Sequence, residues 1–414
     1  MIMVRAVRGF DRARLASLAD WLAVAVAVSL PWSTSATAIL IVLWLLAVLP
    51  TLDVAMLRRE LASAAGGLPV LLWSLAALGM LWADVAWSDR FGGLGGFLRL
   101  LVIPVLLAQF RRSEQGAFVL YGFLASATCL LAASWALALI PGLETRGRFY
   151  GVPVKDYIFQ SSIFLICAMA LIGAACALWR RQDRRMAAAL AALAVLFLAD
   201  IAFVNTGRTT LMVAPFLVVA LGWRELGARG VVAAAIAASA LAGAFWLTSP
   251  YLRERTLHSV ADLRAYVDAR EANSTGQHLE FLRKSLSFIE SAPVIGHGTG
   301  SIAEQFRNAA AGQTGVAALA SVNPHNQIFA VAIQLGLVGA AVLMAMWIAH
   351  LLLFRGGGLT GWVGMIIVVE NVVSSLVNTH LFDFSQGWLY VFGVGVAGGM
   401  TLRNSDHKPA VAKP

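Results

Sequence analysis

A histidine followed at fixed spacing by two glycines is the pattern with the clearest chemical content in this sequence. His325 precedes Asn326, and Gly336 and Gly339 come later in the same apolar run. Pro324 favours a helix that starts just after it, so we expect His325 at the mouth of that helix. An imidazole there can accept the proton of a substrate hydroxyl, because its pKa lies near neutrality. From position alone, a structural role at the helix start is the commoner alternative.

Arginines close to apolar runs form the second group of candidates, because guanidinium groups bind the oxygens of a pyrophosphate in bidentate fashion. Arg208 lies in a very short connection between two apolar runs, where a cation is costly unless an anion or a carboxylate meets it. Arg99 lies inside an apolar run, with Glu370 or Asp200 as alternative partners. Three further candidates occupy polar segments, where lipid headgroups or neighbouring ion pairs are the alternative partners: Arg146, Arg148 and Arg264.

Several familiar catalytic patterns are missing from the sequence. It has no Asp-x-Asp pair, and its Cys and His residues lack the spacing of metal ligands. It also has no P-loop, no Gly-x-Ser-x-Gly and no dinucleotide-binding fingerprint. We therefore predict a mechanism that uses arginines and needs neither a metal nor a cofactor.

The composition is that of a membrane protein. Hydrophobic residues make up 59% of the chain and charged residues 13%, so most of the length must face lipid or other apolar helices. The net charge of +9 comes from basic residues spread between apolar runs, which does not favour nucleic-acid binding. A span needs about 20 apolar residues, and the sequence offers about twelve candidates: 15–31, 34–50, 67–83, 92–110, 115–140, 157–179, 186–204, 209–222, 229–247, 327–354, 359–378 and 385–402.

Lysine and arginine concentrate in every second connection, which predicts that both termini are cytoplasmic and that the first span is a retained helix. The other connections are then periplasmic, and one of them is far longer than the rest. We accordingly divide the chain into spans one to nine (1–247), a large periplasmic loop (248–324), spans ten to twelve (325–402) and a cytoplasmic tail (403–414).

The large loop is expected to form a small helical cap over the membrane helices. Within it, Leu279, Leu282, Leu286 and Ile289 recur at helical spacing, which predicts an amphipathic helix. A Gly-rich turn follows at 296–300.

These motifs resemble those of the O-antigen ligase family, part of a wider group that includes O-antigen polymerases. Four residues match the family pattern: His325, Asn326, Gly336 and Gly339. The pattern consists of His followed by Asn, Ser or Gln, then nine residues and Gly, then two residues and one of Gly, Thr or Tyr. The stretch 293–298 is similar to the Pro-x-x-Gly-x-Gly turn of ligases and polymerases. Where many relatives carry an arginine shortly before the loop helix, this sequence has Gln277 and His278.

The resemblance implies an all-α polytopic fold of the GT-C-like glycosyltransferase type, with about twelve helices and one large periplasmic loop. It implies a donor linked to undecaprenyl pyrophosphate, a lipid A-core acceptor, inversion at the anomeric carbon, and a site on the periplasmic face of the bacterial inner membrane. It makes His325 the general base and Arg208 a catalytic pyrophosphate ligand, with Asn326, Gly336 and Gly339 as structural residues of the motif.

Three alternatives to ligation stay open at the level of sequence. A polymerase would use the same donor and a lipid-linked glycan as acceptor, and the His-Asn motif favours a ligase over it. A transporter for lipid-linked sugars would also want about twelve helices, but the sequence shows no internal repeat of the kind such proteins often carry. A scaffold without enzymatic activity is the third.

Overall fold

The fold is built from helices alone in the part of the chain that the computed structural model describes, which comprises residues 12–140, 142–143, 150–205, 207–248, 250–269, 273–356 and 358–407. The structure is 81% helical, which confirms the predicted all-α polytopic class. In chain order the helices are α1 (Arg12–Ser29), α2 (Thr34–Val48), α3 (Val54–Leu61), α4 (Ala64–Gly79), α5 (Trp87–Leu98), α6 (Val102–Arg112), α7 (Gly116–Leu139), α8 (Tyr157–Arg180), α9 (Arg184–Phe203), α10 (Arg208–Leu226), α11 (Ala228–Thr248), α12 (Pro250–Ala269), α13 (Ser274–Ser291), α14 (Ile302–Ala310), α15 (Gln327–Leu353), α16 (Gly358–Ser374) and α17 (Phe384–Asp406).

Each of the twelve predicted spans overlaps a helix or a pair of helices. By length and apolarity, seven helical segments within the described ranges are able to cross a membrane. An eighth is added if α3 and α4, which meet at an angle of 85°, count as one bent span. The predicted fourth span is a composite, because α5 and α6 are joined by a 3-10 turn at Arg99–Leu101.

Glycines allow α17 to pack closely in the centre of the bundle. A β-carbon at Gly395 would lie 2.4 Å from Leu106 of α6, and one at Gly393 would lie 2.4 Å from Ile367 of α16. Small residues at such contacts permit close approach of helix backbones, and van der Waals packing is the main attraction between helices in lipid. The helix that ends the bundle is therefore held on two sides.

Helix α15 is broken at Gly336, and the Gly-rich turn fills the break. Gly336 has φ +64°, a left-handed conformation that glycine adopts without steric cost. The break exposes carbonyl and amide groups of α15, which pair with the turn in both directions: the amide of His297 donates to the carbonyl of Ile333 (2.8 Å), and the amide of Leu337 donates to the carbonyl of Pro293 (2.8 Å). The two sequence motifs therefore form one structural unit.

Helices α12, α13 and α14, between α11 and α15, form a cap with a small core of its own. Phe281 and Phe288 of α13 pack with Phe306 of α14 and with Ile333 of α15. The amphipathic helix predicted over 279–289 is present, and Ile289 packs against this core, but Leu286 of the predicted apolar stripe is 49% exposed. The face that packs inward is rotated toward the two phenylalanines.

The opposite end of the bundle carries ion pairs between helix ends. Arg111 at the end of α6 contacts Asp406 at the end of α17 (2.8 Å) and Glu60 of α3 (2.9 Å). Since α17 begins near His325 and ends at Asp406, these pairs and the motif histidine lie on opposite faces of the helix bundle. We call the face that carries the cap the loop face.

Candidate active site

Several helices begin together at the loop face, and hydrogen bonds between their first turns hold them in place. The hydroxyl of Thr210 on α10 donates to that of Ser161 on α8 at 2.9 Å. At the start of α15, the amide of Gln327 donates to the carbonyl of Ser375 (2.9 Å), and its side-chain oxygen accepts from the amide of Leu381 (3.0 Å). The turn that joins α16 to α17 is thereby fastened to the first residue of α15.

His325 stands just before α15 in a turn built by its neighbours. The side chain of Asn323 accepts a hydrogen bond from the amide of His325 at 2.7 Å, and Asn326 caps the helix by accepting from the amide of Phe329 at 3.0 Å. His325 has φ +53°, a left-handed conformation that is uncommon outside glycine and often marks a functional position. The turn lifts the imidazole out of the helix and leaves it half-buried.

Asn378, in the turn after α16, orients the ring of His325. Its side-chain oxygen lies 3.3 Å from Nδ1 of His325, and its amide nitrogen donates to the hydroxyl of Thr209 at 3.4 Å. Because the amide group faces Thr209, the oxygen faces the imidazole, so Nδ1 carries the hydrogen. Nε2 is then the basic nitrogen, which is the tautomer that a general base requires.

The cap contributes a second histidine against the first. The ring of His278 on α13 lies 4.2 Å from that of His325, centroid to centroid, and Phe281 stacks on His325 at 5.9 Å. Burial lowers the pKa of His325 below its ordinary value, and the hydrogen bond with Asn378 opposes that shift. The pKa of His278 is lowered to about 4, mainly by burial and to a smaller extent by electrostatic repulsion from His325 and Arg208. Both rings are consequently neutral at neutral pH.

Arg208 is the first residue of α10, and its side chain is exposed at the same place. Its charge lowers the pKa of His278, which packs against His325. Its neighbour Thr209 accepts from Asn378, which contacts His325, so two chains of interactions connect the start of α10 to the imidazole. No carboxylate in the described ranges forms an ion pair with Arg208. A cation at a helix N-terminus, where the backbone amides and the helix dipole also favour negative charge, is suited to an anionic ligand.

Arg99 has different partners from those the sequence suggested. It donates to the carbonyls of Asp383 and of Phe382 (3.0 Å) in the turn before α17, and neither Glu370 nor Asp200 pairs with it. These carbonyls accept hydrogen bonds from the guanidinium N–H groups that a pyrophosphate would need. Arg99 therefore fixes this turn of the loop face.

The other predicted residues fall into three places. Arg264 is exposed on α12, and no hydrogen bond or ion pair within the described ranges joins it to His325. Arg146 and Arg148 lie outside the described residues. Asn326 caps α15 as described above, and Gly336 lies against the Gly-rich turn. Gly339 packs one turn later, where an added β-carbon would meet Leu335 at 2.3 Å.

Sequence reasoning did not select His278 or Asn378 as site residues. For His278 a signal existed, since it stands close to where many relatives have an arginine, and the structure places it near enough to Arg208 for that charge to lower its pKa. Asn378 gave no such signal, because the predicted eleventh span extends to residue 378, which makes Asn378 the last residue of a membrane helix in that prediction. The structure ends α16 at Ser374 and leaves Asn378 in the turn.

Fold and site together define a polytopic membrane protein with, on one face, a neutral histidine and an arginine that forms no ion pair with a carboxylate of the described residues. Residues 193–344 match the family model described as O-Antigen ligase. This match confirms the resemblance to the O-antigen ligase family seen in the motif. The matched segment contains Arg208, His278 and His325. No curated protein sequence matches the chain. The match implies a glycosyltransferase of the ligase and polymerase group.

Proposed function

We propose that the chain is an O-antigen ligase that transfers a polysaccharide from undecaprenyl pyrophosphate to a sugar hydroxyl of the lipid A core. The observation that carries this proposal is the presence, on one face, of a neutral, oriented imidazole at His325 and of Arg208, a cation with no ion-pair partner among the described residues. A base and an anion-binding group side by side are what a glycosyl diphosphate and an attacking hydroxyl need. The His-Asn motif favours ligation over polymerisation.

Arg208 binds the pyrophosphate of the donor in this proposal. Negative charge builds on the leaving diphosphate as the glycosidic bond breaks, so a cation held at that position stabilises the transition state more than the ground state. The first backbone amides of α10 point the same way and add to the attraction. The undecaprenyl chain stays in the bilayer, which requires the anion site to lie at the rim of the helices, where α10 begins.

His325 accepts the proton of the acceptor hydroxyl at Nε2. As the oxygen attacks, a bond forms between it and the anomeric carbon, the bond from that carbon to the diphosphate oxygen breaks, and undecaprenyl pyrophosphate leaves with the electron pair. Attack on the side opposite to the leaving group inverts the anomeric configuration. His278, which is neutral beside both groups, permits His325 to take the proton without a second fixed charge at 4.2 Å.

The loop face is periplasmic in this proposal, and both termini are cytoplasmic. Support comes from the basic residues of alternate connections, such as Arg58, Arg111 and Arg355, which belong to the cytoplasmic side by the distribution rule for membrane proteins. The O-antigen precursor and the lipid A core would then meet at the inner-membrane surface.

The test supplies labelled lipid-linked donor to detergent-solubilised protein with either rough lipopolysaccharide or a second lipid-linked glycan as acceptor. Label transferred to lipopolysaccharide supports the ligase, whereas chain extension of the lipid-linked glycan alone would make the protein a polymerase. Because detergent removes the second compartment, a transporter would give no product with either acceptor. His325→Ala and Arg208→Ala are both expected to abolish transfer in protein that still inserts into membranes.

The proposed mechanism needs no metal, so EDTA should leave the transfer rate unchanged. Inhibition by EDTA that added magnesium reverses would show that a metal ion takes part.

A further inference from the structure

A polar cleft opens next to His325 on the loop face, and neither the motif nor the anion site accounts for it. Its volume is about 230 Å³. The turn before α8, the turn before α15, the turn after α16 and the start of α17 all contribute to its wall, which consists of Asp156, Ile158, Phe159, Asn323, Asn378, Thr379, His380, Asp383 and Gln386. The volume is below the range of about 300–1,000 Å³ that is usual for drug-sized ligands, so the ligand must be small.

Gln386 is the residue that most clearly lacks a partner in this cleft. Its side chain is 4% exposed, and neither its amide nitrogen nor its oxygen forms a hydrogen bond within the described ranges. A buried carboxamide without hydrogen bonds is rare in native proteins, and it calls for a ligand or water. The partner must both accept and donate, which a hydroxyl group does.

Two carboxylates at the rim have free acceptor oxygens. Asp156 and Asp383 each cap a helix through Oδ1, to the amides of Phe159 (2.9 Å) and Gln386 (3.0 Å) respectively. No hydrogen bond in the described part of the chain uses their second oxygen. Carboxylates accept hydrogen bonds from sugar hydroxyls and repel phosphate, so the cleft favours a polyol over an anion.

Cations do not line the cleft among the residues described. His380 is neutral at neutral pH, since burial lowers its pKa to about 4. Lys155 lies outside the wall, with its ammonium donating to the carbonyl of Leu30 and to the hydroxyl of Ser385, and its charge acts on Asp156 and Asp383 from behind the rim. A bound cation is not favoured either, because no group of three or more His, Cys, Asp or Glu side chains in the described ranges is placed to hold a metal ion.

The cleft shares two residues with the surroundings of the base. Asn378 contacts Nδ1 of His325 at 3.3 Å, and Asn323 holds the backbone amide of His325 at 2.7 Å. Arg208 and His278 are not part of its wall. A ligand in the cleft is therefore separated from His325 by Asn323 and Asn378, on the Nδ1 side of the ring, and lies apart from the anion site.

We propose that this cleft is the acceptor subsite, and that it holds one neutral sugar residue of the acceptor and so positions the neighbouring part of the acceptor, whose hydroxyl is deprotonated at Nε2 of His325 outside the cleft. The proposal rests on the proposed function and adds to it the place where the acceptor binds. Gln386 donates to and accepts from one hydroxyl of this sugar, and Asp156 and Asp383 accept from others.

The experiment measures transfer by the full-length protein, with the concentration of each substrate varied in turn. Rough lipopolysaccharide and the lipid-linked polymer, both isolated from a strain that lacks this protein, serve as acceptor and donor. Gln386→Leu keeps the volume of the side chain and removes both polar groups, and it should raise the KM for the acceptor at least tenfold while the KM for the donor changes less than twofold. Gln313→Leu, the same substitution at an exposed position, should leave both constants unchanged.

Asp156→Asn and Asp383→Asn provide a second route if Gln386→Leu fails to insert. Asparagine caps a helix as well as aspartate does, so these variants keep the fold and should also raise only the KM for the acceptor. The delipidated core oligosaccharide should compete with the acceptor on the wild-type protein and at least tenfold less well on Gln386→Leu.

The possible failures are distinguishable. Wild-type protein that transfers nothing would overturn the proposed function. Wild-type transfer with an unchanged acceptor KM in the variants would overturn the acceptor subsite alone. A raised KM for the donor with an unchanged KM for the acceptor would assign the cleft to the donor glycan and would also overturn the proposal.

Discussion

Replacing His325 by glycine separates catalysis from folding at this position. The backbone there has φ +53°, a conformation that costs an ordinary L-residue roughly 1–2 kcal/mol and glycine almost nothing. The variant loses the hydrogen bond to Asn378, which contributes about 1 kcal/mol, together with ring contacts to His278 and Phe281 on a half-buried side chain. Backbone relief and lost contacts offset each other, so the thermal midpoint should stay close to that of the wild type.

The transfer rate of the same variant should fall steeply. Removing a general base typically costs about 10²–10⁴ in rate, which corresponds to about 3–5 kcal/mol of transition-state stabilisation. The space left by the imidazole lies between Asn378 and the cap, so free imidazole should restore part of the rate. The assay is transfer of labelled donor to rough lipopolysaccharide in detergent, with and without imidazole.

His325→Asn is the matched control, because asparagine tolerates the left-handed backbone and supplies no base. It should be as inactive as the glycine variant, and imidazole should restore nothing, since the side chain fills the space. A folded glycine variant that keeps a rate within tenfold of the wild type would refute the assignment of His325 as the base.

Further predictions concern the groups around His325 and the break in α15. Arg208→Lys keeps the charge but loses bidentate binding, and it should lower kcat about tenfold or more with a normal thermal midpoint; a normal kcat would remove Arg208 from the transition state. Asn378→Asp puts a carboxylate beside Nδ1, which raises the pKa of His325, so the acid limb of the pH profile of kcat/KM should move to higher pH. His278→Arg adds a fixed positive charge, which lowers the pKa of His325, and the acid limb should move to lower pH; limbs that stay in place in both variants would show that another group titrates. Gly336→Ala would bring a β-carbon to 2.1 Å from the carbonyl oxygen of Val294 and should destabilise the protein by about 1–3 kcal/mol or more, measured as the thermal midpoint against Gly95→Ala, whose added β-carbon meets nothing within 4 Å.

The spans were predictable because the lipid environment imposes one simple rule, an apolar run long enough to cross it. His325 and Arg208 were predictable for a related reason, since polar side chains at the ends of such runs are few and costly. The run after Gly358 shows where the rule fails. It stays apolar to about 378, but α16 ends at Ser374, because the following turn pairs its backbone with Gln327 of α15. Pairing between distant segments leaves no trace in local hydropathy.

The buried face of α13 shows a second limit. Leu279, Leu282, Leu286 and Ile289 give a regular apolar stripe, but the cap needs aromatic side chains to fill the space beside α14, so Phe281 and Phe288 turn inward. That rotation also brings polar groups inward, where they find partners: Lys284 donates to the carbonyl of Leu319 at 3.0 Å. A periodic pattern shows only where apolar residues recur along a helix. It does not show which of them are large enough to fill a core, or which polar residues between them find hydrogen-bond partners when buried.

His278 depends on the same rotation, because it lies one turn before Phe281 on α13. Its place at the site follows from the packing of the cap and was not accessible from the local sequence. The resemblance to relatives with a nearby arginine was the only local hint.

The junction between the Gly-rich turn and the break in α15 sets a rule for exchanging parts between homologous proteins. Four backbone hydrogen bonds join 293–298 to 333–338, and each side is shaped to fit the other. A chimera that takes 293–298 from one parent and 333–338 from another would have to match two backbones that evolved separately. Successful recombination, natural or designed, should therefore inherit both stretches from a single parent, even though 34 residues separate them (299–332).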